Sequence, residues 1–360
     1  MKFNKFALSE LATIKYGKNQ KKVLSEGGNI PIYGTGGLMG YATTALYDKP
    51  SVLIGRKGTI GKVKYVEHPF WTVDTLFYTI VNTDIVLPKY LYYVMSLMDL
   101  NNYNEGTTIP SLRTETLNRL EFDIPSLVEQ ETILSCLNPI DEKIALNNAI
   151  NINLEQQAQA IFKSWFIDFE PFSNRKPSDW SLSTLGNVSI MGAGGDKPQN
   201  VSPIKTDLYE YPIYSNGLSN EGLYGFTDKP KISEESVTVS ARGTIGFVCL
   251  RHIPYVPIVR LVTLIPKTEI VSAKYLYLWL KQLHITGTGT TQQQLTVPDF
   301  QKTEILVPSQ KIVTLFTATV EPIFEKIWAN QNENEKLSSL RDTLLPKLMS
   351  GELDVSDIDL

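Results

Sequence analysis

Two short polar segments, each present twice, carry the side chains with the most chemical potential. Arg56-Lys57-Gly58-Thr59-Ile60-Gly61 returns as Ala241-Arg242-Gly243-Thr244-Ile245-Gly246, and Gly106-Thr107-Thr108 returns as Gly289-Thr290-Thr291. Arginine can bond guanine and glutamine adenine through paired hydrogen bonds, while Thr, Ser and Lys serve phosphates and base edges. Beyond the shared Gly-Thr-Thr frame the copies differ, Ile109-Pro110-Ser111 in one and Gln292-Gln293-Gln294 in the other, as two readers of different base sequences would. The candidate nucleic-acid contacts of the first copy are Lys18, Tyr33, Thr35, Arg56, Lys57, Thr59, Thr107, Thr108, Ser111 and Arg113. Those of the second are Tyr214, Ser215, Asn216, Arg242, Thr244, Thr290, Thr291, Gln292, Gln293 and Gln294. The alternative for any one of them is a solvated loop position.

Other chemistries find less support. The run from Gly55 to Gly61 has five residues rather than four between its outer glycines, and Val63 follows Lys62 where a phosphate loop needs Ser or Thr. Gly34-Thr35-Gly36-Gly37-Leu38-Met39 puts Met39 where a dinucleotide fingerprint needs its third glycine, so a glycine-rich turn between strands is the better reading. His68, His252 and His284, with Cys136 and Cys249, show no metal-ligand spacing. Neither a G-x-S-x-G elbow nor the Asn/Asp-Pro-Pro-Tyr/Phe motif of an amino-methyltransferase occurs. No catalytic or metal residue is nominated.

The elements that must position these loops are themselves duplicated. Ile30-Pro31-Ile32-Tyr33 returns as Tyr211-Pro212-Ile213-Tyr214 and Lys89-Tyr90-Leu91-Tyr92 as Lys274-Tyr275-Leu276-Tyr277, always 181 to 185 residues apart. In a chain of 360 residues, two copies of this length mean paired domains rather than a solenoid. Net charge is only −4, but it alternates: residues 1–126 carry +3, 127–170 −5, 171–309 +2 and 310–360 −4. Each basic block reads as short strands (Ser51–Ile54, Gly61–Tyr65 and Leu76–Val81; Val237–Ser240, Gly246–Leu250 and Ile258–Leu264) followed by an aromatic-rich helix, Pro88–Met98 or Ala273–Leu283, which gives an α+β class. The absence of an apolar leader or membrane span, and two cysteines in apolar runs that suggest buried thiols, point to the cytoplasm.

The acidic blocks read as long helices, the first opened by a Ser126/Glu129 capping box and the second by Ser309. Pro139 and Pro322 are expected to break or kink them near their starts. Ile144, Asn147, Asn151, Leu154, Ala158, Ile161 and Trp165 step by 3 and 4, and Ile327, Asn330, Asn334, Leu337, Arg341, Leu344 and Leu348 repeat that seam at a constant offset of 183. Two matched heptad seams most simply pack on each other, with paired asparagines fixing register. The plainer reading is that each helix only covers its own domain's core.

Two further segments bear a family resemblance. Ile161-Phe162-Lys163-Ser164-Trp165-Phe166-Ile167-Asp168-Phe169-Glu170-Pro171-Phe172 and Arg341-Asp342-Thr343-Leu344-Leu345-Pro346-Lys347-Leu348-Met349-Ser350-Gly351-Glu352-Leu353 resemble the central and C-terminal conserved regions of the specificity (S) subunits of type I restriction-modification systems. One departure is that Lys163 stands at the register of Pro346, so the two helices are expected to end differently. The resemblance implies target-recognition domains over 1–126 and 171–309, conserved helical regions over 127–170 and 310–360, and a pseudo-two-fold arrangement with long antiparallel coiled-coil helices between the domains. It implies a non-catalytic chain that binds double-stranded DNA, each domain reading half of a split site. Two modification (M) subunits would dock on its helices and restriction (R) subunits would join the complex. It further implies no cofactor on this chain, with S-adenosylmethionine on the M subunits and ATP and magnesium on the R subunits. The competing readings are a nucleotide- or S-adenosylmethionine-dependent enzyme and a duplicated ligand-binding scaffold.

Overall fold

A computed structural model describes residues 1–287 and 293–355, and the chain divides into two units. Unit 1 comprises Met1–Asn147 together with the residues from Asn332 onward, and unit 2 comprises Asn148–Gln331. In unit 1 the strands are β1 (Asn4–Ala7), β2 (Ala12–Tyr16), β3 (Ile30–Gly34), β4 (Gly37–Ala42), β5 (Ser51–Gly55), β6 (Val63–Val66), β7 (Trp71–Thr72), β8 (Leu76–Val81) and β9 (Glu121–Ile124). Its helices are α1 (Leu8–Leu11), α2 (Pro88–Ser96), α3 (Thr114–Asn118) and part of α4 (Leu127–Phe166). The strands form a β1-β9 pair, a four-stranded sheet β2-β8-β5-β6 and a three-stranded sheet β4-β3-β7.

Unit 2 repeats this order. Its strands are β10 (Ser181–Thr184), β11 (Ser189–Ala193), β12 (Tyr211–Tyr214), β13 (Leu223–Thr227), β14 (Ser236–Val239), β15 (Val248–Arg251), β16 (Val256–Pro257), β17 (Val262–Pro266) and β18 (Glu304–Val307). They pair as β10-β18, β11-β17-β14-β15 and β13-β12-β16, the same connections in the same order. The helices are α5 (Leu185–Val188), α6 (Ala273–Gln282), α7 (Val297–Phe300) and part of α8 (Gln310–Ser350). The predicted strands and helices fall here to within two residues at either end, except that β17 starts at Val262 and not Ile258, because Val259 and Arg260 turn through left-handed backbone at φ 52° and 60°.

Burial explains the pattern. Every residue of β5 is buried, which is why Ser-Val-Leu-Ile-Gly reads as a continuous apolar run rather than an alternating one. The core of unit 1 joins Val52, Ile54, Phe77, Tyr90 and Leu91 to Ile133 and Leu137 of α4 and to Leu345, Leu348 and Met349 of α8. The core of unit 2 joins Val237, Val239, Tyr275 and Leu276 to Phe162 and Phe166 of α4 and to Phe316 and Val320 of α8. Of the two cysteines, Cys249 is buried and Cys136 only partly so, which corrects the expectation for the first.

The capping box at Ser126 forms, with Glu129 Oε2 accepting from Ser126 N and Oγ at 2.9 Å. The prolines do not break the helices: α4 runs through Pro139 and α8 through Pro322 and Pro346. All three prolines are exposed. The carbonyl each one leaves without a donor lies four residues earlier on that same face, where water can serve it. Nor do the helices end differently in any large degree, since α4 stops at Phe166 and α8, counted at the repeat offset, one residue later.

Candidate nucleic-acid interface

In unit 1 the chain leaves β5 at Gly55 and turns through Arg56-Lys57-Gly58-Thr59, with Gly58 at φ 86°. Arg56 is bound into the fold. Its backbone N–H donates to Thr75 O at 2.9 Å, its Nη1 donates to Asp74 O at 2.8 Å, and its guanidinium lies 4.9 Å from the Tyr16 ring centre. Lys57 and Thr59 are exposed. Lys57 forms a bridge with Ser111, and Gly58 N–H donates to Pro110 O at 2.9 Å, so the Gly106-Thr107-Thr108 loop lies against this turn. Asn104 Oδ1 shapes that loop by accepting from both Gly106 N and Ser111 N at 2.9 Å. Thr35 approaches from the β3–β4 hairpin, its hydroxyl 4.0 Å from where a Cβ on Gly58 would stand. The structure thus brings together Thr35, Lys57, Ser111 and the loop carrying exposed Thr107 and Thr108.

The remaining candidates of unit 1 lie differently. Tyr33 is buried, with Lys64 Nζ 3.8 Å over its ring and His68 Nε2 3.3 Å from its hydroxyl. Burial, and then Tyr41, raises the Tyr33 phenol above its ordinary value, and burial lowers Lys64. Lys18 is exposed, its carbonyl accepting from Trp71 Nε1 at 2.8 Å. Arg113 is exposed and paired with Glu105 at 3.2 Å.

Unit 2 builds the same corner from other residues. Ala241 holds the place of Arg56, since Leu295 N–H donates to Ala241 O at 3.0 Å as Leu112 N–H does to Arg56 O at 2.9 Å. Arg242 therefore answers Lys57, and Gln294 answers Ser111. Arg242 is exposed and donates from Nη2 to Gln294 Oε1 at 2.9 Å, which places a guanine-matching and an adenine-matching group side by side. Asn216 is bound on both ends of its amide: Oδ1 accepts from Ala241 N and Nδ2 donates to Val259 O, each at 2.7 Å. Ser215 N–H donates to Gly222 O at 2.8 Å, Tyr214 lies under Arg251, and the Thr244 hydroxyl is buried without a partner among the described residues. Gln293 is exposed; Thr290, Thr291 and Gln292 lie outside the described residues.

The helix seams meet within each unit, running antiparallel. In unit 1, Asn147 Nδ2 donates to Asn334 Oδ1 at 2.9 Å and to Glu333 Oε2 at 2.8 Å, and Arg341 Nη1 donates to Asp141 Oδ1 at 3.2 Å. In unit 2, Asn330 Nδ2 donates to Asn151 Oδ1 at 2.8 Å, and Trp165 lies 5.7 Å from Phe316 between ring centres. Ile144, Leu154, Ile161, Ile327, Leu337 and Leu344 are half-buried, while Ala158 and Leu348 are buried.

The family model for the type I restriction modification DNA specificity domain matches twice, at residues 1–156 and 177–338. The chain belongs to this type I DNA specificity family. Among curated relatives, the MjaIX type I restriction enzyme specificity subunit of Methanocaldococcus jannaschii is 28% identical, over 87% of this chain and 80% of that one. The HindI specificity subunit of Haemophilus influenzae is also 28% identical, over 81% and 84%. The crystal structure of a type I S subunit from M. genitalium shares the fold, with a TM-score of 0.58 at 18% identity over 97% of this chain and 96% of that one. The function is DNA recognition within a type I restriction-modification system, and as a type I specificity protein this is the non-catalytic component.

Several residues important to these specificity domains escaped the sequence reading. Gln130, fully buried, accepts from Leu87 N at 2.8 Å and donates to Ile85 O at 2.9 Å and Pro125 O at 3.0 Å, locking the start of α2 to α4. Arg251 is buried in unit 2, and the signal that could have found it is an arginine closing the buried strand Val-Cys-Leu-Arg. No group of three or more His, Cys, Asp or Glu among the described residues could hold a metal ion, and no helix among them is long and apolar enough to cross a membrane. Burial pushes the Cys249 thiol up to about 12, which leaves it no thiolate character at neutral pH.

Proposed function

We propose that each unit of this specificity protein reads one half of a split double-stranded DNA site. The reading loops are those around Lys57 and Ser111 in one unit and around Arg242 and Gln294 in the other. What supports the proposal is the repetition of one corner with different side chains: the same backbone bond, Leu112 N–H to Arg56 O in one copy and Leu295 N–H to Ala241 O in the other, sets Lys57 beside Ser111 and Arg242 beside Gln294. Blocks 1–126 and 171–309 serve as the two target-recognition domains, and the helical regions 127–170 and 310–360 set the unread spacer and dock two M subunits. Those subunits hold S-adenosylmethionine and methylate adenine, while R subunits using ATP and magnesium add cleavage, all in the cytoplasm. The small net charge suits such an assembly, where partners supply much of the phosphate neutralisation. The test is methylation mapping of the assembled complex after residues 1–126 are exchanged for those of another family member. One half-site should change and the other persist; a change in both halves, or in neither, would exclude independent reading.

A further inference from the structure

Unit 2 departs from unit 1 at a place the shared topology does not require. The first copy turns from β3 to β4 through Gly34–Gly37, whereas the second takes Ser215 to Gly222 to pass from β12 to β13. The longer turn is anchored from below and from the side. Arg251, 3% exposed, donates from Nη2 to Glu221 O at 2.7 Å, from Nη1 to Glu221 Oε2 at 2.9 Å and from Nε to Thr238 Oγ1 at 3.0 Å, and lies 3.6 Å over the Tyr214 ring. Its register position in unit 1 is Val66. From the side, the two amide bonds of Asn216 tie the turn to Ala241, next to Arg242, and to Val259.

Between these anchors Asn220 and Glu221 adopt left-handed backbone, at φ 47° and 53°, before Gly222 at φ 82°. A Cβ on Gly222 would stand 2.2 Å from Ser215 O, so only glycine closes the turn. Leu218, Ser219 and Asn220 are left exposed, and Asn220 carries no side-chain hydrogen bond among the described residues. Arg260, exposed on the adjoining turn, likewise has no ion pair there. Burying a guanidinium and holding two non-glycine residues at positive φ both cost stability, and a solvated connection would need neither.

We propose that Ser215–Gly222 is a specificity loop of unit 2, that Asn220 is a base-reading side chain matched to adenine, and that Arg251 is its positioning residue. This rests on the reading of the chain as a DNA-recognition subunit. Asparagine bonds the N6 and N7 edge of adenine bidentately, and Arg260 supplies charge for a nearby phosphate.

The test is methylation mapping of the assembled complex carrying Asn220→Gly, which deletes the amide and keeps a residue at ease with positive φ. Preference at one position of the half-site read by unit 2 should fall roughly tenfold or more, with the other half-site and the unfolding midpoint unchanged. Arg251→Val, which installs the residue of the first copy, should blur the same position. An unaltered recognised sequence in Asn220→Gly, and again in a variant that adds Leu218→Ala and Ser219→Ala, would overturn the proposal. Exchange of the whole block 171–309 separates the two levels. If that exchange changes the half-site and the loop variants do not, the loop proposal alone fails; if the exchange changes nothing, the DNA-recognition reading of unit 2 fails with it.

Discussion

Where the long helices meet α2 in unit 1 and α6 in unit 2, the two units close the same backbone with opposite chemistry. In unit 1, Asp141 accepts from the Tyr93 hydroxyl and pairs with Lys89 at 3.4 Å and Arg341 at 3.2 Å. At the repeat positions of Asp141, Tyr93 and Arg341, unit 2 has Phe324, Leu278 and Ala158, all buried, and Lys274 turns instead to Glu235 at 2.7 Å and Glu321 at 3.0 Å. The centres differ too. Phe162, Phe166, Phe316 and Tyr275 pack edge to face or tilted in unit 2, at centroid distances of 4.9 to 6.3 Å, where unit 1 has Leu345, Met349, Ile133 and Tyr90. Among the described residues nine strands in one order, and asparagine pairs at matching seam positions, are shared; the packing that fills them is not. Topology and register are therefore the invariants of this duplication, and either an ionic cluster or an aromatic one can complete the scaffold.

Truncating the aromatic centre should have the largest effect. Phe162→Ala is expected to cost about 3–5 kcal/mol in denaturant unfolding followed through unit 2, and Leu345→Ala at the same register about 2–4 kcal/mol in unit 1. Equal or inverted costs would break the distinction between the two cores. Next come the proposed reading corners: Arg242→Ala should lose about 1–3 kcal/mol of DNA affinity in the assembled complex together with base preference, as a lost bidentate contact does. Lys57→Ala should instead weaken binding to all sequences and lower the salt slope by about one. Similar salt slopes in both variants would remove that contrast.

Asn330→Leu takes the amide donor from Asn151 and should cost about 1 kcal/mol in unit 2, while Asn330→Leu with Asn151→Leu should recover it with less well-defined helix register, seen as broadened amide signals. The smallest effect concerns His252, stacked 4.1 Å from Trp328, where unit 1 carries Glu67. Burial, with Lys274 and Arg251 behind it, pushes this imidazole down to about 4. Because the folded value lies below the unfolded one of about 6.5, the stabilisation is complete above that pH and is lost as pH falls from about 6.5 towards 4. Part of the ring remains in water, which limits the change to less than about 1 kcal/mol. His252→Phe should abolish the slope in that window; a slope that persists would assign it to other groups.

Much of this architecture was legible because duplication prints itself twice. The repeat offset rises from 181 at Tyr33/Tyr214 to 185 at Lys89/Lys274 and falls to 183 at Gly106/Gly289. The first step is the longer β12–β13 turn, and the second coincides with the 3-10 turn Leu100–Tyr103 of the first copy. Hydrogen-bond destinations were not legible. Arg56 looked like a reader of bases, yet its guanidinium is taken by Asp74 O and Tyr16; Asn216 looked like another, yet its amide is bound into the fold at both ends. A side chain's type states what it can bond, and only the fold states what has already bonded it. Pro139 misled for a related reason, since its cost depends on whether the orphaned carbonyl faces water or core.

The discontinuity of unit 1 bears on timing. Leu345, Leu348, Met349 and Val355 belong to the same core as Leu8, Leu11 and Val52, so the first-made strands lack a closing wall until nearly the whole chain exists. Unit 2, continuous from Asn148 to Gln331, needs no such wait. At ribosomal rates of about 5–20 residues per second, the apolar face of unit 1 stays open for roughly ten to forty seconds after Asn147 is made. The half synthesised first is thus the half that closes last, and it is the one with most need of a chaperone while the ribosome is still at work.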